Sequence, residues 1–369
     1  MKKTLIIFAI LVLGCTEKNA GYPDGTAQKG NLSYQGGSLA DWQTKTHSQL
    51  VDMLGTNRFV LSQNAPSLAR GQTHTTTLTR KALALLKQRA DICFQKNTNF
   101  IELNDCRSQE SAVRLFLISY RALDGKEIGA YLLVPTGRWS RVFDEKSAVP
   151  SVVFLHDHTS TKEDAIFNDK GTLKGAALTL AQQGFVVLVP DLRGFGAGQG
   201  MTVHEKMARE FSKKGVSFMG VLSLDAVVAQ NVLDRLDLPA FGIDRPLDRK
   251  RNAITGVSLG AVVALFAGAL DPRVDLVSVQ AHFLGFEVLF SKHHCFCQHV
   301  PAMQDKLNIF DVAMLIPPRK LHVAMGTKDV SYNGFASTAF ETLEAQAKLA
   351  GLTVCRFPFH DQEKCSVFI

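Results

Sequence analysis

Beyond its first residues the sequence has no long apolar run, no dense basic cluster and no internal repeat. The first absence excludes a membrane-spanning helix from the body of the chain, because a span needs about 20 consecutive apolar residues. The second argues against a nucleic-acid face. The one compact basic run is "DRKR" at 248–251, and the net charge of +7 is spread over scattered lysines and arginines. A solvated, mildly basic surface accounts for it. The third absence sets aside repeat architectures. What remains is an ordinary globular composition, 46% hydrophobic and 20% charged over 369 residues. That length suffices to bury a core in one large α/β domain or two smaller ones.

The start of the chain differs from the rest. Lys2 and Lys3 precede an apolar run from Leu5 to Leu13, followed by Gly14 and Cys15. The run is too short to span a bilayer and reads as a secretory signal. The ending "LVLGC" resembles a bacterial lipobox. That resemblance implies cleavage before Cys15, lipidation of Cys15 and a membrane anchor. Thr16, where an Asp is absent, implies the outer membrane. A plain signal peptide with a periplasmic or secreted product is the alternative. The expected segments are a lipoprotein-type signal peptide over 1–14 and a polar, glycine-rich tether over 15–38. An N-terminal helical appendage over 39–110 and an α/β catalytic domain over 111–369 follow. In the appendage, helices are predicted from Ser38 or Asp41 and over 80–94 ("RKALALLKQRADICF"). Export permits disulfides, and Cys93–Cys106 and Cys355–Cys365 are the local pairings expected.

From residue 111 the pattern becomes regular. Two β-rich runs flank Asp124-Gly125, a hairpin signal. Apolar β-type runs at 151–156, 185–191, 252–258, 276–282, 320–325 and 353–359 then alternate with helical stretches near 172–183, 219–236, 259–270 and 336–350. Continuous apolar strands alternating with helices imply a mostly parallel sheet of eight strands, covered by helices on both faces.

The stretch "AITGVSLGAVV" places Ser258 between a β-run and a helix, inside a Gly-x-Ser-x-Gly pattern. A nucleophilic serine needs a strained turn that lifts its oxygen above the sheet, and Gly256 and Gly260 leave room for neighbouring backbone. The alternative is a serine that simply caps the following helix. A serine hydroxyl is a weak nucleophile and needs a base oriented by an acid. In chain order Ser, acid, base, "LHVAMGTKD" offers Asp329 and "CRFPFHDQ" offers His360. Asp271, Asp275 and Asp311 read as surface or capping residues, and His322 as a buried strand residue. The oxyanion hole would use the N–H of Leu259 and one from Asp157 or His158, in the loop after "VVFLH". A pocket would be lined by His156, Phe283 and Phe296, with an insertion over 283–318 shaping it. Its phenylalanines could equally be core.

Two patterns raise metal binding. "HDH" at 156–158 lacks a third partner. "HHCFCQH" at 293–299 offers His293, His294, Cys295, Cys297 and His299. A loop with packed or paired cysteines is the alternative, and it is preferred here, with no metal.

These pieces together resemble the α/β-hydrolase superfamily, and within it the acetyl-xylan-esterase-like branch related to dienelactone hydrolases. "SVVFLHDHTSTKED", "GFVVLVPDLRGFGAG", "ITGVSLGA" and "CFCQHVPAMQDKLNIFDVAMLIPPRKLHVAMGTKD" carry the likeness. It implies a carboxylesterase with Ser258, Asp329 and His360 as triad, an acyl-enzyme, a small or carbohydrate ester as substrate and no cofactor. Two features depart from the pattern. The run "HDHTS" replaces the glycines usual after the strand histidine, and only nine residues follow His360 where a final helix is usual. A serine peptidase related to prolyl oligopeptidases and a degenerate hydrolase acting as a surface binding protein are the rival readings.

Overall fold

The computed structural model describes residues 34, 36–56, 78–106, 113–136, 148–196, 199–285, 295–301, 303–326, 335–352, 355–358 and 364–368. Its strands are β1 (Ile92–Lys96), β2 (Ile101–Asp105), β3 (Val113–Arg121), β4 (Glu127–Pro135), β5 (Val149–Leu155), β6 (Val186–Pro190), β7 (Leu247–Val257), β8 (Leu276–Gln280), β9 (Lys320–Gly326), β10 (Cys355–Pro358) and β11 (Lys364–Phe368). They form one sheet in the order β1-β2-β3-β4-β6-β5-β7-β8-β9-β11-β10. The helices are α1 (Leu39–Leu54), α2 (Arg80–Leu86), α3 (Lys162–Phe167), α4 (Ala176–Gln182), α5 (Met201–Lys213), α6 (Phe218–Asp234), α7 (Leu259–Leu270), α8 (Met303–Lys306), α9 (Ile309–Ala313) and α10 (Phe335–Leu349).

The five central strands β6, β5, β7, β8 and β9 run parallel. Every residue of β5 and β6 is buried. That is why they read as nearly continuous apolar runs, with Ser151 the one polar side chain: a parallel strand covered on both faces has no solvent side to mark with alternating polar residues. The β3–β4 hairpin turns where expected, with Gly125 at φ 82° and Asp124 Oδ1 accepting from Lys126 N at 3.2 Å. One core layer joins α1, α6, α7 and α9 to the sheet, and a second joins α2, α3 and α4 to its other face. The α6 helix is buried nearly all round rather than along one stripe. Among the described residues no single helix is long and apolar enough to cross a membrane.

The structure departs from the sequence reading at both edges. The sheet has eleven strands rather than eight. Helix 80–94 stops at Leu86, and its β-branched and aromatic tail "ICF" enters β1 instead, paired with β2. Among the described residues, the N-terminal appendage therefore holds α1, α2 and a hairpin that extends the sheet. The Cys93–Cys106 disulfide closes that hairpin, with Cα atoms 5.0 Å apart. At the far edge, β11 inserts antiparallel between β9 and β10. Register places Cys355 opposite Phe368 and Cys365 opposite Pro358. The two cysteines are thus offset by three positions, about 10 Å of strand rise, beyond the Cα separation a disulfide spans. The expected Cys355–Cys365 bridge does not fit this ladder.

Candidate active site

Ser258 lies between β7 and α7 with φ 54° and ψ −115°. A non-glycine residue held there stores of the order of 1–3 kcal/mol, which the surroundings must impose. They do so through the backbone. Ser258 N donates to Gln280 O at 2.9 Å, and Ser258 O accepts from Ala261 N at 3.0 Å and Val262 N at 3.2 Å. The side chain makes no capping hydrogen bond. An ordinary helix cap has extended dihedrals and a bonded side-chain oxygen. Ser258 has neither, so the capping alternative fails.

The flanking glycines are sterically required. A Cβ on Gly256 would lie 2.3 Å from the carbonyl carbon of Gly260. One on Gly260 would lie 2.3 Å from Leu155 O and 2.7 Å from His156 O. The start of α7 is therefore pressed against the end of β5. Leu259, the first residue of α7, has no helical acceptor for its N–H, and the loop after β5 adjoins it. An oxyanion hole needs two such N–H groups aimed at one point, and Leu259 and this loop are the candidates for it.

That loop is internally braced. Asp157 Oδ1 accepts from Thr159 N at 2.7 Å and from Thr159 Oγ1 at 2.8 Å. Its carboxylate is thus tied into the turn. His156 is fully buried and lies 2.8 Å from Asp157 O through Nδ1, while its Nε2 accepts from Leu192 N at 3.0 Å. The network assigns the proton to Nδ1, and burial pushes the imidazole pKa down. His156 is therefore a neutral brace between two loops and not a pocket residue. Phe283 is also fully buried, packed edge-on against Phe310 with centroids 5.3 Å apart. It belongs to the core. Phe296 remains half-buried, stacked on His299 and under the Arg209 guanidinium.

Asp329 and His360 lie outside the described residues. The strands that bracket them end at the edge of the sheet where Ser258 sits. Gln280 of β8 pairs with Ala324 of β9, two residues before the strand ends at Gly326, and Lys364 at the start of β11 pairs with Gly326. Competing groups are otherwise engaged. Asp311 is fully buried in a capping box with Asn308, and Asp271 is paired with Arg273. His322 is buried with Nδ1 3.0 Å from Ser278 Oγ.

Sequence reasoning missed the support beneath the loop that follows β6. Arg193 grips Asp225 of α6 at 2.5 and 2.8 Å and Asp124 of the β3–β4 turn at 2.5 and 2.7 Å. Burial raises the Asp225 carboxyl to about 6 even so close to Arg193. Lys162 is ion-paired with Asp191 on the same side. His204, on α5, was also unflagged. It packs over Gly194, where a Cβ would meet His204 Cα at 2.3 Å, and its Nδ1 lies 2.6 Å from Arg193 O.

One donor atom from each of His158, His204, Cys295 and Cys297 lies within 4.8 Å of the others. Cys295 and Cys297 are free thiols. His293 and His294 lie outside the described residues, and His299 is not among the four. A surface cleft lined by Asp234, Pro239, Arg245 and Arg249 opens at the opposite end of β7 and has no part in the serine site.

No family model and no curated protein matches the sequence. Solved structures do. One from Bacteroides fragilis NCTC 9343, provisionally assigned as an acetyl xylan esterase, superposes with a TM-score of 0.55 at 11% identity, over 85% of this chain and 72% of that one. Methylesterase BT1017 matches at TM-score 0.48 and 14% identity, over 85% and 56% of the two chains. The glucuronoyl esterase from Solibacter usitatus matches at 0.45 and 12%, over 85% and 81%. The chain has the α/β-hydrolase fold.

Proposed function

We propose that this chain is a serine esterase whose nucleophile is Ser258, oriented by His360 as base and Asp329 as acid. The observation that carries the reading is the turn at Ser258: a positive φ on a non-glycine residue, a side chain left uncapped, and glycines on either side packed to backbone contact. A structural serine has no need of that strain. In the reaction, Ser258 Oγ attacks the ester carbonyl while His360 accepts its proton. The oxyanion forms beside Leu259 N–H and the N–H groups of the Asp157–His158 loop. A donor of this kind contributes about 3–4 kcal/mol in the transition state. His360 returns its proton to the departing alcohol, and water activated by His360 then releases the acid from the acyl-enzyme.

The substrate class proposed is a small or carbohydrate-borne ester, an acetyl group above all, in keeping with the names of the structural neighbours. The peptidase and binding-protein readings become outcomes of the test. Export and anchoring through lipid on Cys15 are proposed on the sequence of the leader. Detergent-phase partitioning that is lost in Cys15→Ala is the expected result.

The test is hydrolysis of p-nitrophenyl acetate together with fluorophosphonate labelling. Both should be present in the wild-type protein and absent from Ser258→Ala. Activity that survives in the variant refutes the elbow. A folded wild-type protein that neither labels nor hydrolyses supports a degenerate scaffold, and labelling with turnover of peptides alone supports a peptidase.

A further inference from the structure

We propose that His158, His204, Cys295 and Cys297 form a tetrahedral Cys2His2 site for zinc, which clamps the loop after β5 to α5 and to the turn at 296–298. The four residues come from three distant parts of the chain, yet one donor atom from each lies within 4.8 Å of the rest. Around a tetrahedral zinc, with bonds of about 2.0 Å to nitrogen and 2.3 Å to sulfur, donors stand roughly 3.3–3.8 Å apart. The cluster needs only a contraction of about 1 Å to close on the ion.

Each donor is prepared for this role. His204 is fully buried. Its Nδ1 is committed to the Arg193 carbonyl at 2.6 Å, which leaves Nε2 as the coordinating nitrogen. That Nε2 is buried and makes no well-directed hydrogen bond among the described residues. An imidazole whose other N–H is fixed by a backbone carbonyl is the usual outer-shell arrangement of a metal-bound histidine. Arg193 is itself held by Asp124 and Asp225, so the carbonyl is anchored. His158 Nε2 lies 3.1 Å from Cys297 Sγ. Cys297 N points its proton at Cys295 Sγ, 3.4 Å away, in the geometry that stabilises a thiolate. Cys297 is fully buried.

On binding, each thiol releases its proton to solvent. Two thiolates, two neutral imidazoles and a divalent ion sum to zero charge, which suits a half-buried site. Sulfur and nitrogen donors in equal number select zinc over harder cations. All four positions are taken by protein, so the ion is structural. Its effect on the serine site is indirect: His158 belongs to the loop that adjoins Leu259.

The experiment is metal analysis of the full chain purified without chelator from zinc-supplemented cells, with cobalt(II) titration of the stripped protein. The expected result is a single zinc per chain. Cobalt should give the intense visible bands of a tetrahedral thiolate complex, displaced by added zinc. Cys297→Ser and His204→Ala should lose the metal, and His299→Ala should keep it. Circular dichroism reports whether the variants fold; if they do not, the wild-type cobalt spectrum decides alone. Folded wild-type protein without zinc and without the cobalt bands overturns the proposal. So does retention of zinc in a folded Cys297→Ser, or a native Cys295–Cys297 disulfide by mass. None of these readouts uses esterase activity, so the site stands or falls separately from the proposed function.

Discussion

Gly260→Ala tests the contact on which the serine site rests. The added Cβ would lie 2.3 Å from Leu155 O, 2.6 Å from Leu155 C and 2.7 Å from His156 O. These are backbone atoms at the end of a fully buried strand, and no rotamer can relieve the clash. An ordinary contact needs the start of α7 to withdraw from β5 by about 1 Å. Overpacking of this kind costs about 1–3 kcal/mol. Alanine's better helix propensity returns about 1 kcal/mol, so the net loss of stability is roughly 0–2 kcal/mol. The catalytic cost is larger. The same withdrawal would carry the Leu259 N–H away from the proposed oxyanion position, and a displacement of about 1 Å can cost roughly 100-fold in rate. The expectation is a folded variant with kcat/KM for p-nitrophenyl acetate down about 100-fold, with KM little changed. Gly129→Ala on β4, where nothing lies within 4 Å of the new methyl, is the control and should behave as wild type. A Gly260→Ala protein with wild-type kcat/KM would refute the reasoning: the elbow would then tolerate movement that an oxyanion hole cannot.

Three further outcomes follow from buried groups. Arg193→Met should cost about 3–5 kcal/mol in urea unfolding, because it strands the buried Asp225 carboxylate; Arg193→Met/Asp225→Asn should recover part of it, and a single variant within about 0.5 kcal/mol of wild type contradicts the network. Replacing Cys93 and Cys106 by serine opens a short loop with a sequence separation of 13, and should cost about 2–3 kcal/mol by denaturant melts with and without reductant. His322 is pulled down to about 4 by burial, so between that pH and its unfolded value of about 6.5 the unfolded chain binds more protons. Stability contributed by the neutral ring is complete above pH 6.5 and lost as pH falls towards 4, roughly 3 kcal/mol in all. Stability curves measured across that window should flatten in His322→Gln; an unchanged slope would mean His322 does not titrate as described.

The centre of the fold was legible because burial writes itself into parallel strands. β5, β6 and the end of β7 are buried throughout and mostly apolar, with only Ser151 and Thr255 as polar side chains after Asn252, and each is followed by a helix. The edges were harder. "ICF" continues the apolar content of "KALALL", and only the later partner strand β2 decides that it is extended. The return of β11 between β9 and β10 has no local signature either: a short apolar run says nothing about which neighbour it will pair with. At the serine, the Gly-x-Ser-x-Gly pattern marked the turn where Ser258 takes a positive φ and the flanking glycines pack against backbone. Motif logic did not foresee that His156 would be fully buried, and it left Phe283 open between pocket and core, since a histidine at a strand end and a phenylalanine in an insertion read alike whether they face a ligand or the core.

The metal cluster shows most clearly where a one-dimensional reading stops. "HDH" was set aside for want of a third ligand, and "HHCFCQH" because packed or paired cysteines explained it as well. Each objection is sound within its own stretch of chain. The structure answers both together: His158 supplies what the cysteine loop lacks, Cys295 and Cys297 supply what "HDH" lacks, and His204 comes from a helix with no metal signature at all. Ligand spacing reveals a site only when its donors are close in sequence. Here the donors span three segments, brought together because α5 packs over Gly194 and the 296–298 turn packs on α5. Two incomplete motifs in one chain are therefore to be weighed jointly, as halves of one site, rather than one at a time.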